Sequence, residues 1–398
     1  MKVSSRCMAV SGSPTLAINA KAKELKTQGL DVVGFGAGEP DFDTPENVRN
    51  AAKEALDLGM TRYTPAGGSV DLQKAVCEKL LRDNGLVYKP SQIVISNGAK
   101  QSLFNTFMAL CEVGDEVLIP SPYWVSYPEI VKMAGGVPVP VEGRPENNFK
   151  PTAAEIEEKV TEKTRAIMLT SPNNPNGYVF TKEELTAIGN LAVKYDFYIV
   201  ADEIYEFLIY DGQEHVSIAS IAPEFYERTV TINGVSKAYA MTGWRIGYTA
   251  SPENVAKAMV NYQSHSTSGP NTIAQYAAMK ALQGPTEDRK KMVAEFARRK
   301  NRIVQLINAI PGLSCVEPKG AFYVMMKVSE CFGKKTKDGQ VVSDDMTFAK
   351  LLLDRNLVAV VPGTGFNAPE FVRLSYAISM ETIEKGIARI AEFVTGLE

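Results

Sequence analysis

Between residues 92 and 235 the chain repeats one pattern: a short apolar run rich in Val, Ile and Leu, a turn of small residues, then a segment whose apolar positions recur at helical spacing. The runs cover 92–96, 115–120, 137–141, 166–170, 197–201 and 229–235, and the helical segments cover 98–111, 125–134, 152–160 and 181–195. Runs that are apolar throughout, not alternating, are covered on both faces, the condition of a parallel sheet between helix layers. The pattern therefore predicts an α/β fold with a mainly parallel sheet, and it places any ligand site outside the carboxyl ends of the strands.

The residues expected at those ends are chemically uneven. Ser236-Lys237 follows the run 229–235, so Lys237 is expected at a strand terminus, among neighbours that carry almost no charge. A lysine amine held partly desolvated is a usable nucleophile toward a carbonyl; the alternative is an ordinary surface lysine. Asp202 closes the apolar run 197–201, with Glu203 and Tyr205 just beyond. A carboxylate there is costly without a cationic or proton-donating partner, and a buried ion pair is the competing explanation. At 92–111 a strand, the turn Asn97-Gly98-Ala99-Lys100 and a helix start make an anion site, because free amides and the helix dipole point the same way.

Other positions allow two readings each. Trp124, one of two tryptophans, follows Ser121-Pro122-Tyr123 and either packs on the core or offers a ring to a ligand. Ser171 to Gly177, with Asn174 inside, holds two prolines and a glycine and can be neither helix nor central strand. Gly38 lies in Gly36-Ala37-Gly38-Glu39-Pro40, a strand-exit turn or a backbone that a ligand approaches closely. Tyr63 opens a loop that runs to Gly68, and Arg373 stands in an apolar strand as an ion-pair partner or an anion clamp.

The 398 residues suffice for two domains. Helical spacing at 14–29 (Leu16, Ala20, Leu25), a strand-like 30–38, helices at 45–58, 70–84, 252–262 and 271–282, and a break at Gly284-Pro285 lead to a long charged helix at 286–310. Strands at 321–328, 357–361 and 371–376 and helices at 347–354 and 381–397 follow. We expect residues 46–284 to form the large domain. A smaller α+β domain should come from both chain ends, 1–45 and 285–398.

A net charge of −3 with no block of like charges argues against a nucleic-acid partner, and no apolar run is long enough to span a membrane. The first 14 residues lack the apolar core of a signal peptide, which implies a cytoplasmic protein. Five scattered cysteines read as reduced, mostly buried thiols, and two histidines outside any ligand motif as structural or surface residues, so no metal is expected.

Ser236-Lys237 with Met241, Gly243, Arg245 and Gly247 fits S-K-x-x-x-M-x-G-x-R-x-G, which resembles the cofactor-lysine signature of class I aminotransferases, enzymes of fold type I that use pyridoxal 5'-phosphate. The likeness runs almost end to end through GEPDFDTP, SNGAKQSL, PYWVSYP, SPNNPNG, ADEIYE and FVRLSYA, and is strongest to the aspartate aminotransferase branch called Ib. The resemblance implies a seven-stranded sheet, Lys237 as the imine-forming and proton-shuttling residue, Asp202 against the pyridine nitrogen, and Tyr205 and Asn174 at the phenolic oxygen. It puts Trp124 flat on the ring and the phosphate on Gly98, Ala99, Lys100 (through its backbone), Ser236 and Arg245. Gly38, Trp124, Asn174 and Arg373 would form the substrate pocket, with Arg373 on the α-carboxylate. Tyr63 would reach the phosphate of the other subunit of a homodimer, as the loop 264–269 would reach the partner's site.

The implied reaction is ping-pong transfer of an amino group from aspartate to 2-oxoglutarate, with alanine or aromatic donors next. A pyridoxal phosphate β-lyase is the rival enzyme class, and a transcriptional regulator would need a DNA-binding module. Two positions depart from the family pattern. Gly234 stands where a hydroxyl residue is frequent, and Val10-Ser11-Gly12-Ser13 lacks the basic residue linked to prephenate use.

Overall fold

The computed structural model describes residues 2–12 and 14–398. Ser13 and the side chain of Leu16 lie outside the described residues. A seven-stranded sheet runs in the order Ile93–Ser96, Gly247–Ala250, Thr229–Gly234, Tyr198–Asp202, Thr164–Thr170, Glu116–Ser121, Val137–Glu142. Six of its strands are mutually parallel, and Gly247–Ala250 runs antiparallel to both neighbours. This is the expected mainly parallel α/β sheet.

Both faces are covered, which is why the strand sequences are apolar throughout. On one face Val94, Val200, Val230 and Ile232 pack with Leu103, Phe107 and Met259 of helices Ala99–Leu110 and Glu253–Ser266. On the other, Ile95, Tyr248 and Ala250 meet Leu72, Val76 and Ala277, while Ile199 and Ala201 meet Leu185 and Ile188. The ladder register sets Thr170, Asp202 and Ile232 side by side, so loops from three strands open at one edge.

A second, four-stranded antiparallel sheet, Val361–Pro362, Phe371–Ser375, Tyr323–Lys327, Ser314–Cys315, lies under helices Glu287–Asn308, Asp345–Asn356 and Met380–Thr395. Its core also takes in Tyr205 and Leu208 from the loop beyond Asp202. The N-terminal segment joins this region through Val33–Gly34, which pairs in parallel with Val358–Ala359.

Several expectations need correction. The apolar stretch 357–361 is two strands, not one: Val358–Ala359 pairs with the N-terminal segment and Val361–Pro362 with Phe371–Ser375. Strand Gly247–Ala250 was hidden because Gly247 and Ala250 carry no β-former signal. The strand before Lys237 stops at Gly234, so the lysine sits three residues into a turn and not at the terminus. The helix expected to end at Tyr262 continues to Ser266, which puts half of the supposed loop 264–269 in its last turn. The helix expected over 152–160 spans only Ala153–Glu157, behind a Thr152/Glu155 capping box. All five cysteines are free, but only Cys331 is fully buried. Among the described residues no helix is long and apolar enough to cross a membrane.

Candidate active site

At the carboxyl edge of the large sheet, where the smaller region packs against it, lies a cavity of about 370 Å³. Every residue expected at the site lines it except Gly98 and Tyr63. Volume and lining are in the range of small-molecule sites.

The turn from Val235 to Ile246 turns back twice through left-handed residues, Ala240 (φ 49°) and Arg245 (φ 58°). This brings Lys237 and Arg245 to the same opening. Lys237 is half-buried and its Nζ donates to the Gly38 carbonyl at 2.5 Å. Burial pushes its amine down to about 8, helped by Arg245 and Arg373 and opposed by Glu39 and Asp202. The amine is therefore substantially neutral in mildly alkaline solution, as a nucleophile must be.

Asp202 ends its strand 4% exposed. Burial raises its carboxyl to about 6, and Tyr127 and the Ile204 amide, donating at 2.8 and 3.2 Å, hold it short of a neutral acid. Tyr127 is itself fixed by a hydroxyl bond from Thr170 at 2.8 Å. A cation in the cavity would draw Asp202 back to the ionised form. The hydroxyls of Tyr205 and Tyr323 share a hydrogen bond of 3.2 Å, and the Tyr205 ring centroid is 6.0 Å from Lys237 Nζ. Burial pushes the Tyr205 phenol well above its ordinary value, so it is a proton donor, not an anion.

Arg373 is 2% exposed. Its Nη1 donates to Asn174 Oδ1 at 2.9 Å, its Nη2 to the Gly36 carbonyl at 3.4 Å, and its Nε has no partner. The rings of Tyr323 and Phe366 flank it at 4.3 and 4.8 Å, and among the described residues it has no ion-pair partner. A guanidinium so placed is prepared for an anion.

The opposite end of the cavity is electropositive. Six other helices begin under a side chain that accepts from their first turn: Ser69, Thr152, Thr181, Asn271, Asp344 and Ser379. Helix Ala99–Leu110 begins instead at Gly98 (φ 84°), and nothing among the described residues accepts from the amides of Ala99 and Lys100. Arg245 lies over this turn, bonded to the carbonyls of Thr242 and Asn97 at 2.9 and 3.1 Å. A Cβ on Gly98 would fall 2.3 Å from Arg245 Nη2, so a side chain there would push the guanidinium aside, and the left-handed φ of 84° itself favours glycine. Ser236 is buried beside it. Trp124 stands edge-on to Tyr127, and the Lys100 side chain lies over the indole at 4.7 Å.

Gly234 is explained by the sheet. A Cβ there would meet the Ile246 carbonyl at 2.8 Å and Gly247 Cα at 2.9 Å, so the close antiparallel partner excludes the hydroxyl residue frequent at this position. Tyr63 is 97% exposed and takes no part in the cavity within one chain. The lining residues that were not foreseen include Tyr127, Tyr323, Glu39 and Thr242, the last two joined by a hydroxyl bond of 2.8 Å. A signal existed for Tyr127, one helical turn after Trp124 in PYWVSYP. Tyr323 offered only an aromatic residue in an apolar strand.

A lysine with a depressed amine, a buried carboxylate, a guanidinium with no carboxylate partner and the uncapped first residues of a helix line one cavity. The sequence matches the family described as aminotransferase class I and II over residues 30–390, and the chain belongs to that family. It is an aminotransferase. Among individual proteins it is similar to the aspartate aminotransferase of Bacillus subtilis, with 50% identity covering 99% of both chains. It is also similar to the aspartate/prephenate aminotransferase of Cereibacter sphaeroides, with 46% identity over 98% of this chain and 97% of that one. The crystal structure of the Rhizobium meliloti aspartate aminotransferase superposes with a TM-score of 0.97 at 41% identity, covering 100% of each chain.

Proposed function

We propose that this aminotransferase moves the amino group of aspartate to a 2-oxo acid, 2-oxoglutarate foremost, in two ping-pong half-reactions, with pyridoxal 5'-phosphate held at Lys237. One observation carries the reading: an amine lowered to about 8 and a carboxyl raised to about 6 line the same cavity, between an unpaired guanidinium and an uncapped helix start. Those residues fit a phosphorylated pyridine aldehyde at both ends. Close relatives named aspartate aminotransferase support the choice of donor.

When bound, pyridoxal phosphate supplies the electron sink for the pair released at the substrate Cα. The chain supplies the rest. Lys237, while neutral, would hold the aldehyde, and its amine would be the base for the Cα proton. Asp202, kept ionisable by Tyr127 and the Ile204 amide, holds negative charge opposite the ring nitrogen. Tyr205 donates toward the phenolic oxygen, as does the amide of Asn174, whose oxygen is taken by Arg373. Trp124 offers a flat face to the ring. The amides of Ala99 and Lys100 beyond the Gly98 turn, with Ser236 and Arg245, receive the phosphate. Arg373 grips the α-carboxylate beside Gly38. Tyr63, exposed in one chain, serves the phosphate of a second copy in a homodimer.

Adding single amino acids to the holoenzyme and following the cofactor's visible absorbance tests the substrate. Aspartate and glutamate should convert it fast; failure of both removes the donor assignment and leaves the class intact. Pyruvate release without an oxo acid would favour the β-lyase.

A further inference from the structure

Side chains alternate across a sheet, so Asp202 meets Tyr127 on one face while Glu203 turns to the other. There Glu203, Glu206 and His215 gather, with potential ligand atoms within 4.8 Å of one another. Glu206 is saturated: Lys79, 1% exposed, lies 2.5 Å away, and Asn84 and Asn233 donate to its two oxygens at 3.0 and 2.7 Å. An ammonium and two amides already answer both oxygens of Glu206, which leaves it poorly placed to ligate a metal ion.

Glu203 is the opposite case. It is 3% exposed, its Oε2 makes no hydrogen bond, and neither ring nitrogen of His215 makes one, although Nε2 stands 3.2 Å from that oxygen. The groups facing this corner are Lys79, Glu203, Glu206 and His215, with the phenols of Tyr88 and Tyr248 and the carboxyl of Asp202 close enough to feel Glu203, and Arg82 and Tyr239 close enough to feel Glu206. With a neutral His215 the Lys79 ammonium would face two carboxylates, Glu203 and Glu206; a protonated one leaves Glu203 matched. The same short segment carries Asp202 and Tyr205, held by bonds from the Glu206 amide to the Glu203 carbonyl and from the Leu208 amide to the Tyr205 carbonyl.

We propose that His215 is a positioning residue for Asp202: doubly protonated, it pairs with Glu203 across the sheet from the cavity, anchors the 203–206 turn, and cancels the field of Glu203 at the catalytic carboxylate. This rests on the reading of Asp202 as the charge opposite the cofactor ring. Burial and Lys79 disfavour the imidazolium, but Glu203 and Glu206 outweigh them and the ring lies above its ordinary value. Burial is the main cause of the raised Asp202, and Glu203 adds to it.

The chain has two histidines, so nitrogen NMR of the holoenzyme labelled at histidine gives two imidazole patterns, with exposed His265 identified by its loss in His265→Gln. At about pH 7.5, where an ordinary histidine is mostly neutral, His215 should show two protonated nitrogens; a neutral tautomer overturns the proposal. In His215→Gln the acid limb of kcat/KM should move to higher pH, and adding Glu203→Gln should move it back. Lower activity with an unmoved limb, or a shift the double variant does not reverse, is the result of a merely structural histidine and also overturns it. So does one equivalent of Zn²⁺ held by the wild type and lost in His215→Gln. If the protein shows no transamination, the role of Asp202 falls, while the NMR still decides the state of His215.

Discussion

Lys300 and Arg373 are both buried cations, and their surroundings differ in kind. Lys300, fully buried on the long helix, stands 2.6 Å from Asp211 and 2.6 Å from Glu317, and Lys319 completes the set. Its charge is answered within the chain, and the group ties the helix to the loop beyond Asp202 and to the segment entering the smaller sheet. Arg373 has amide and carbonyl oxygens, two aromatic rings and a nitrogen without partner, but no carboxylate. An unanswered buried charge costs several kcal/mol unless a ligand supplies the partner. The open set is where our proposal puts the substrate anion; the closed one is a strut.

Substitutions can break or sharpen that contrast. Arg373→Leu should reduce kcat/KM for aspartate by about 10²–10³-fold, as expected for two lost charge-assisted bonds, mostly through KM and with the cofactor absorbance unchanged. Loss of the cofactor instead would contradict its role as a clamp. Lys300→Met should do the reverse and leave kcat unaltered. Because Asp211 and Glu317 are 35% and 44% exposed, its stability cost should be about 2–3 kcal/mol, below the penalty of a fully buried pair, read from chemical denaturation. Tyr127→Phe removes one bond to Asp202 and should lower kcat about tenfold. It should also raise the pH at which Asp202 protonates above about 6, moving the acid limb upward, since losing a donor favours the neutral acid.

The sheet was legible because its strands are buried on both faces and announce it by unbroken apolar runs. Phe197 to Ala201 could hardly be anything else, and so Asp202 at its end was found. Gly247–Ala250 was not legible, since its place depends on partners on both sides and not on its own β-propensity. The stretch 357–361 was misread because one apolar run serves two different neighbours. Lys237 and Arg245 were singled out by the family resemblance, because a lone lysine or arginine in an apolar context still allows a bland explanation; the strand, small-residue turn and helix start around Gly98 were legible from the residues themselves. Tyr127 and Tyr323 escaped because a phenol inside an apolar element looks like packing until its hydroxyl partner is seen. The Glu203–His215 pair, 12 positions apart, had no local signal.

The central claim is that residue 237 carries a depressed amine ready for an aldehyde. It is tested by supplying the cofactor-free protein with pyridoxal 5'-phosphate across a pH series, reducing with borohydride, and mapping the modified peptide. With an amine near 8, about a tenth is already neutral at about pH 7, so labelling should fall on Lys237 and its rate should climb through about pH 8. Labelling at another lysine, or a rate that rises only near the 10.5 of an ordinary lysine, would contradict it.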